Sequence, residues 1–108
     1  MLAIREYVDS DGRNPFGRWF NRLNSVSAAK VTTALVRLGE GTLSNVKSVG
    51  SGVLEYRIDF GPGYRVYFGR DGDKLVILLA GGTKQRQQDD IDAAKTNWQD
   101  YKYRKSRD

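Results

Sequence analysis

The residues best suited to chemistry fall on two neighbouring stretches. From Val53 to Phe60 the sequence alternates: Leu54, Tyr56, Ile58 and Phe60 take one side of an extended strand, and Glu55, Arg57 and Asp59 take the other. From Tyr64 to Gly69 the pattern repeats, with Tyr64, Val66 and Phe68 on one side and Arg65 and Tyr67 on the other. Gly61-Pro62-Gly63 between them reads as a turn. A turn confined to those residues sets Phe60 opposite Tyr64, Asp59 opposite Arg65 and Arg57 opposite Tyr67. It keeps both apolar sets on one face, which a one-residue slip would not. Glu55, Arg57, Asp59, Arg65 and Tyr67 then project from one side of a small sheet. Two arginines on rigid strands suit an anion, because guanidinium meets phosphate oxygens bidentately. Lys84, just past the next strand, adds a third cation to the rim. The plainer alternative is a solvated sheet face, with Asp59 and Arg65 ion-paired and Arg57 stacked on Tyr67.

Composition narrows the chemistry. The chain has no histidine and no cysteine. A Ser-His-Asp triad, thiol catalysis, disulfides and Cys-ligated metal sites are therefore excluded, and the commonest acid–base side chain is missing. Asp89, Asp90 and Asp92 read as acids that complement a helix dipole rather than as cation ligands, so no metal or cofactor is expected. Neither Gly61-Pro62-Gly63 nor Gly81-Gly82 has the spacing of a phosphate-binding glycine loop. In 108 residues, 18 Lys and Arg stand against 13 Asp and Glu, a net charge of +5 that favours a polyanionic partner.

The elements that must position these residues fit one domain over residues 1–108. Residues 2–8 read as a strand and 9–13 as a turn. Asn14-Pro15 is a helix start, followed by Phe16, Trp19, Phe20 and Leu23 at helical spacing. Ser27 is placed to cap a second helix carrying Ala28, Val31, Leu35 and Leu38, which Gly39 and Gly41 stop. Residues 42–52 read as a polar connector. Asp71-Gly72 signals a hairpin into Leu75–Ala80, apolar on both sides and hence a covered central strand, with Gly81-Gly82-Thr83 as a loop. Ile91, Ala94, Trp98 and Tyr101 define a last helix, and 102–108 reads as a frayed basic tail. Trp19 and Trp98 sit on apolar stripes and are expected in the core. The expected fold is α+β, in the order β-α-α-β-β-β-α: a small, mostly antiparallel sheet with a helical hairpin on one face and a C-terminal helix. No apolar run is long enough for a signal peptide or a membrane span, so a cytoplasmic protein is expected.

The string from Leu54 to Phe68, LEYRIDFGPGYRVYF, resembles the RelE/ParE toxin superfamily, and more closely its phage-derived, HigB-like branch of addiction-module killer proteins. Asn14-Pro15-Phe16, the Gly81-Gly82-Thr83-Lys84 run and the Asp89-Asp90-Ile91 helix with Trp98 extend the likeness over nearly the whole chain. The resemblance implies a bacterial toxin of a type II toxin–antitoxin pair that inhibits translation. Its reaction would be ribosome-dependent mRNA cleavage without a metal, by attack of the ribose 2′-OH on the adjacent phosphorus and loss of the 5′-oxygen. Arg65 matches the arginine of the family's Tyr-Arg strand, Arg57 falls where RelE has a lysine, and Lys84 falls near a basic residue after the last strand. Asp59 replaces a second lysine, and the C-terminal tyrosine of RelE has no counterpart, Ile91 lying nearest its place. Arginine stays protonated, so proton transfer falls to Asp59, Glu55, Tyr67 or Lys84. Arg57, Arg65, Lys84, Arg86, Lys102 and Arg104 are the expected RNA contacts. The implied partners are mRNA on the ribosome and an adjacent antitoxin of helix-turn-helix type, through which alone the chain would reach operator DNA. Two alternatives share the resemblance: a ParE-like DNA gyrase poison, and an inactive member that only binds its antitoxin.

Overall fold

A computed structural model describes residues 1–107. The elements follow the order β1 (Ala3–Glu6), α1 (Pro15–Asn21), α2 (Ser25–Gly39), β2 (Val46–Gly50), β3 (Val53–Ile58), β4 (Tyr64–Asp71), β5 (Leu75–Thr83) and α3 (Gln87–Ser106), with a 3-10 turn at Lys84–Arg86 leading into α3. The strands form one mixed sheet in the order β1-β5-β4-β3-β2. Strands β2 to β5 are antiparallel neighbours, and β1 runs parallel to β5. The α+β class, the helical hairpin and the C-terminal helix are as expected. The mixed sheet has one strand more.

The extra strand replaces the expected polar connector. Val46 packs toward one side of the sheet and Val49 toward the other, so β2 carries no apolar stripe that alternation could reveal. The turn into β3 is built from Gly50, Ser51 and Gly52, all with left-handed backbone at φ 98°, 58° and 81°. Positive φ at consecutive positions suits the twist of a tight hairpin.

Helix starts follow the asparagines. Asn14 accepts from Gly17 N–H at 2.8 Å, with Pro15 in the first helical position. Asn24, not Ser27, caps α2, accepting from Ser27 N–H at 2.9 Å. Ser27 is buried instead, its hydroxyl 2.9 Å from the Tyr64 hydroxyl across the core. α1 and α2 bring Phe16, Val31, Ala34 and Leu38 against Tyr56, Ile58, Tyr64, Val66 and Phe68.

α3 covers the opposite face, where Ile91, Ala94 and Trp98 meet Tyr67, Ile77 and Leu79. The polar side of β3 and β4 is therefore not a solvated surface along its whole length. The expected frayed tail is also corrected: α3 is helical through Ser106, while Asp108 lies outside the described residues. Arg104 Nε donates to Asp100 at 3.0 Å and its Nη2 to the Val8 carbonyl at 2.6 Å; Lys105 pairs with Asp71. No helix among the described residues is long and apolar enough to cross a membrane.

The β3–β4 register is shifted by two residues from expectation. Ile58 faces Tyr64, Arg57 faces Arg65 and Glu55 faces Tyr67. The turn takes in Asp59 and Phe60 because Phe60 N–H bonds locally to the Ile58 carbonyl at 3.0 Å, while Gly63 N–H returns to the Phe60 carbonyl at 3.1 Å. A two-residue shift preserves which side chains share a face. On β5 the expected loop Gly81–Thr83 is strand, paired with Tyr64–Val66. Leu79 is an extra residue between the Tyr67–Ala80 and Phe68–Leu78 pairs.

Two glycines seat the indoles. A Cβ at Gly69 would stand 2.6 Å from the Trp98 ring, and one at Gly81 would stand 2.1 Å from the Trp19 ring. Both tryptophans are packing residues, as expected. Gly69→Ala forces Trp98 off the sheet and is expected to cost about 1–3 kcal/mol by overpacking. Urea unfolding should show a lower midpoint at unchanged slope; an unchanged midpoint would refute this seating of α3.

Candidate functional site: a cationic sheet end over a buried carboxylate

Arg57 and Arg65 stand directly opposite each other on β3 and β4, on the α3 side of the sheet. Like charges at this spacing destabilise a bare strand pair. Each is met by its own acid. Arg57 Nε lies 3.6 Å from Asp59 Oδ1, both side chains more than half exposed. Arg65 Nε lies 3.8 Å from Glu55 Oε1, and there both side chains are buried. The expected Asp59–Arg65 pair and Arg57–Tyr67 stack are absent, since the register shift gives those residues other neighbours.

Glu55 is 1% exposed. A carboxylate so buried needs compensation. Gln87 donates to Oε2 at 2.7 Å from the first turn of α3, and Lys47 Nζ reaches Oε1 at 3.7 Å from β2. Tyr67 is fully buried beside this group, its hydroxyl without a hydrogen-bond partner. Burial, reinforced by the negative charge of Glu55, holds its pKa above the ordinary tyrosine value. Tyr67 is thus a core residue here rather than the exposed catalytic candidate expected from alternation.

Lys84 joins the two arginines. Its backbone N–H donates to the Gly63 carbonyl at 2.9 Å, which pins the start of the 3-10 turn to the β3–β4 loop. A Cβ at Gly63 would lie 3.4 Å from Arg65 Nη1 and 3.5 Å from Lys84 Cβ, so the Arg65 guanidinium and the start of the Lys84 side chain both border the loop glycine. Strand pairing and this loop contact bring Arg57, Arg65 and Lys84 to one end of the sheet, with Asp59 at its rim.

The other expected RNA contacts do not join them. Lys102 lies over the Trp98 ring at 5.6 Å, and Arg104 lies over the Tyr7 ring at 5.5 Å. Lys102 is 18 residues beyond Lys84, roughly 27 Å along a helix rising 1.5 Å per residue. Arg86 turns to a separate cleft of about 330 Å³ between α1, the end of β5 and α3, which it lines with Arg18, Arg22 and Asp90. Sequence reasoning missed Arg18 and Arg22. Their i,i+4 spacing on a helix was the available signal, but Phe16, Trp19 and Phe20 drew the reading of α1 to its apolar face.

Asp90 packs on Gly82, where a Cβ would stand 1.8 Å from Asp90 Oδ2. That oxygen is buried without a hydrogen bond. Burial raises the Asp90 pKa, Arg86 opposing the shift and Asp89 adding to it. Among the described residues no group of three or more acids is placed to hold a metal ion.

No protein-family model matches the chain. Over 81 residues it is 44% identical to an uncharacterized protein of Haemophilus influenzae, a match covering 74% of this chain and 82% of that protein.

Arg65→Ala removes a partner from a buried carboxylate and should lower stability by on the order of 3 kcal/mol in chemical unfolding; a loss below about 0.5 kcal/mol, ordinary for a surface residue, would refute its structural role. Asp90 is raised in the folded state, so its ionisation opposes folding at pH values above the carboxylate range. Asp90→Asn should therefore raise the melting temperature near neutrality, with the gain shrinking as pH falls and Asp90 is protonated. A gain independent of pH would show that the charge is not the cause.

Proposed function

The chain belongs to the same family as that Haemophilus influenzae protein, and for it we propose a RelE-like toxin fold whose activity is endonucleolytic cleavage of mRNA on the ribosome. The observation carrying this reading is the convergence of Arg57, Arg65 and Lys84, from three separate segments, at one end of the sheet. Three cations stand against two carboxylates, Glu55 buried against Arg65 and Asp59 paired with Arg57 at the rim, so the positive charge is in excess.

The geometry suits cleavage at a ribose. The 2′-oxygen bonds to the adjacent phosphorus, the bond to the 5′-oxygen breaks, and a 2′,3′-cyclic phosphate and a free 5′-hydroxyl remain. Charge accumulates on the phosphate oxygens during attack, and fixed cations stabilise it. Arg57 and Lys84 are exposed and contact the phosphate. Arg65 presents the inner edge of the same cluster, oriented by Glu55. Asp59 is 77% exposed beside Arg57 and takes the proton of the 2′-hydroxyl; Glu55 is buried and committed to Gln87, Lys47 and Arg65. The Lys84 ammonium returns a proton to the departing 5′-oxygen. The ribosome orients the strand, and orientation supplies much of the rate. A basic toxin of this kind fits an acidic antitoxin that covers the cationic sheet end, the helix-turn-helix part of that partner reading DNA.

The test is cleavage of a defined mRNA with and without programmed ribosomes. Arg57→Ala and Lys84→Ala are expected to fold and to lose about 10²–10³-fold in rate each, the scale of removing one fixed charge stabiliser. Asp59→Asn should lose comparably; activity equal to wild type would remove Asp59 from proton transfer. A folded wild-type chain that cuts nothing in either condition would overturn the reading and direct the work to gyrase inhibition.

A further inference from the structure

Among the described residues, the one hydrogen bond to the buried Glu55 carboxylate comes from a neutral side chain. Gln87 Nε2 stands 2.7 Å from Oε2. Lys47 Nζ at 3.7 Å and Arg65 Nε at 3.8 Å from Oε1 are charge contacts beyond hydrogen-bond distance. A charge contact has little directional preference, whereas an N–H donor seeks the plane of the carboxylate and fixes its rotation. The carboxylate only accepts, so the amide nitrogen of Gln87, not its oxygen, faces it. Arg65 has few holds of its own. Its Nη1 donates to the Tyr64 carbonyl at 3.2 Å, and its Nε makes no hydrogen bond. The orientation of the acid that faces Arg65 is therefore set from α3.

Gln87 also closes the segment that carries Lys84. The Lys84–Arg86 turn is held at its start by the Lys84 N–H on the Gly63 carbonyl. At its end the Gln87 backbone N–H returns to the Lys84 carbonyl, and the Gln87 side chain reaches across to β3, 32 residues back along the chain. Lys84, Gln85 and Arg86 are exposed and Gln87 is half-buried, so the turn is clamped by its last residue. One neutral contact thus ties two cations, Arg65 through Glu55 and Lys84 through the turn. We infer that Gln87 is a positioning residue of the sheet-end site: its amide sets how Arg65 and Lys84 stand relative to each other, without touching the strand that is cut. The inference rests on the cleavage proposed above. Glutamine suits the task because its amide holds the carboxylate across the pH range and adds no charge to compete for phosphate.

Steady-state cleavage of a defined mRNA on programmed ribosomes tests this with the full chain. Gln87→Ala should lower kcat about 10²-fold, the scale of a 1 Å misplacement, and leave KM unchanged. Gln88→Ala, which removes an exposed side chain bonded to Asp92, should change neither. Gln87→Glu sets a second carboxyl against Glu55, and the two hold together only while they share a proton. Lys47 from β2, Arg57 from β3 and Arg65 from β4 flank the pair and oppose that proton, while the neighbouring Asp90 and Tyr67 do not. The ratio of Gln87→Glu to wild-type kcat should therefore fall as pH rises. A residue that only compensates buried charge would lower the unfolding midpoint and move neither kcat nor this ratio; that result in a folded variant would overturn the inference. The Arg65 Nε–H resonance of the free chain reads the positioning without cleavage: it should exchange slowly with solvent in wild type and faster in Gln87→Ala. A wild type that cuts nothing while this resonance responds retires the endonuclease and keeps Gln87 as the group that sets Arg65. Cleavage by wild type, with kcat and the resonance both unchanged in Gln87→Ala, does the reverse.

Discussion

The carboxylate of Glu55 is the constraint on which the cationic end of the sheet depends. A buried charge is costly unless it is paired and hydrogen-bonded. Its partners come from three elements: Lys47 of β2, Arg65 of β4 and Gln87 of α3. Satisfying it therefore ties the edge strand, the middle strand and the start of the covering helix to one point. It also turns Arg65 inward, so that its guanidinium is held by the fold.

The surrounding layer is not fully satisfied. Arg65 Nε, Tyr67 Oη and Asp90 Oδ2 are the buried side-chain polar atoms without a hydrogen bond among the described residues. All three stand on the α3 side of the sheet, between the middle strands and the first turns of that helix. Core packing elsewhere is apolar and complementary, with Trp98 seated over Gly69 and Trp19 over Gly81. These unpaired groups gather in one region, beside two sets of cations, and each costs the fold stability. The same juxtaposition explains why the sheet-end site and the arginine cleft are neighbours. Both grow from the end of β5, where glycines let side chains approach the backbone.

Much of the architecture was legible in sequence. Alternation at Leu54–Ile58 and Tyr64–Phe68 identified two strands and the side that faces the α1–α2 hairpin, and the two-residue register shift did not disturb this because side chains repeat every two residues. Asn14-Pro15 marked a helix start through a cap that acts within one turn. Val46–Gly50 escaped notice because its two valines serve opposite faces. Ser27 looked like a cap because it precedes an apolar helical pattern, but Asn24 reaches the orphan N–H first, and the serine hydroxyl goes to Tyr64 instead. The tail beyond Lys102 looked frayed because its anchors, Asp71 and Val8, are remote in sequence.

Sequence alone determined the three helices, four of the five strands and which residues of β3 and β4 share a face, because those properties depend on neighbours a few positions away along the chain. It did not determine what that shared face would touch. Glu55, Arg65 and Tyr67 alternate just as exposed residues would, and only the docking of α3 makes them a buried layer while leaving Arg57, Asp59 and Lys84 in water. The arginine cleft is likewise tertiary: Arg18 and Arg22 meet Arg86 and Asp90 only because α1 and α3 pack against the same strand end from opposite faces. Burial is a sum over distant segments, so the electrostatic character of a side chain, solvated ion or buried anchor, is decided by the fold and not by the local pattern that places it.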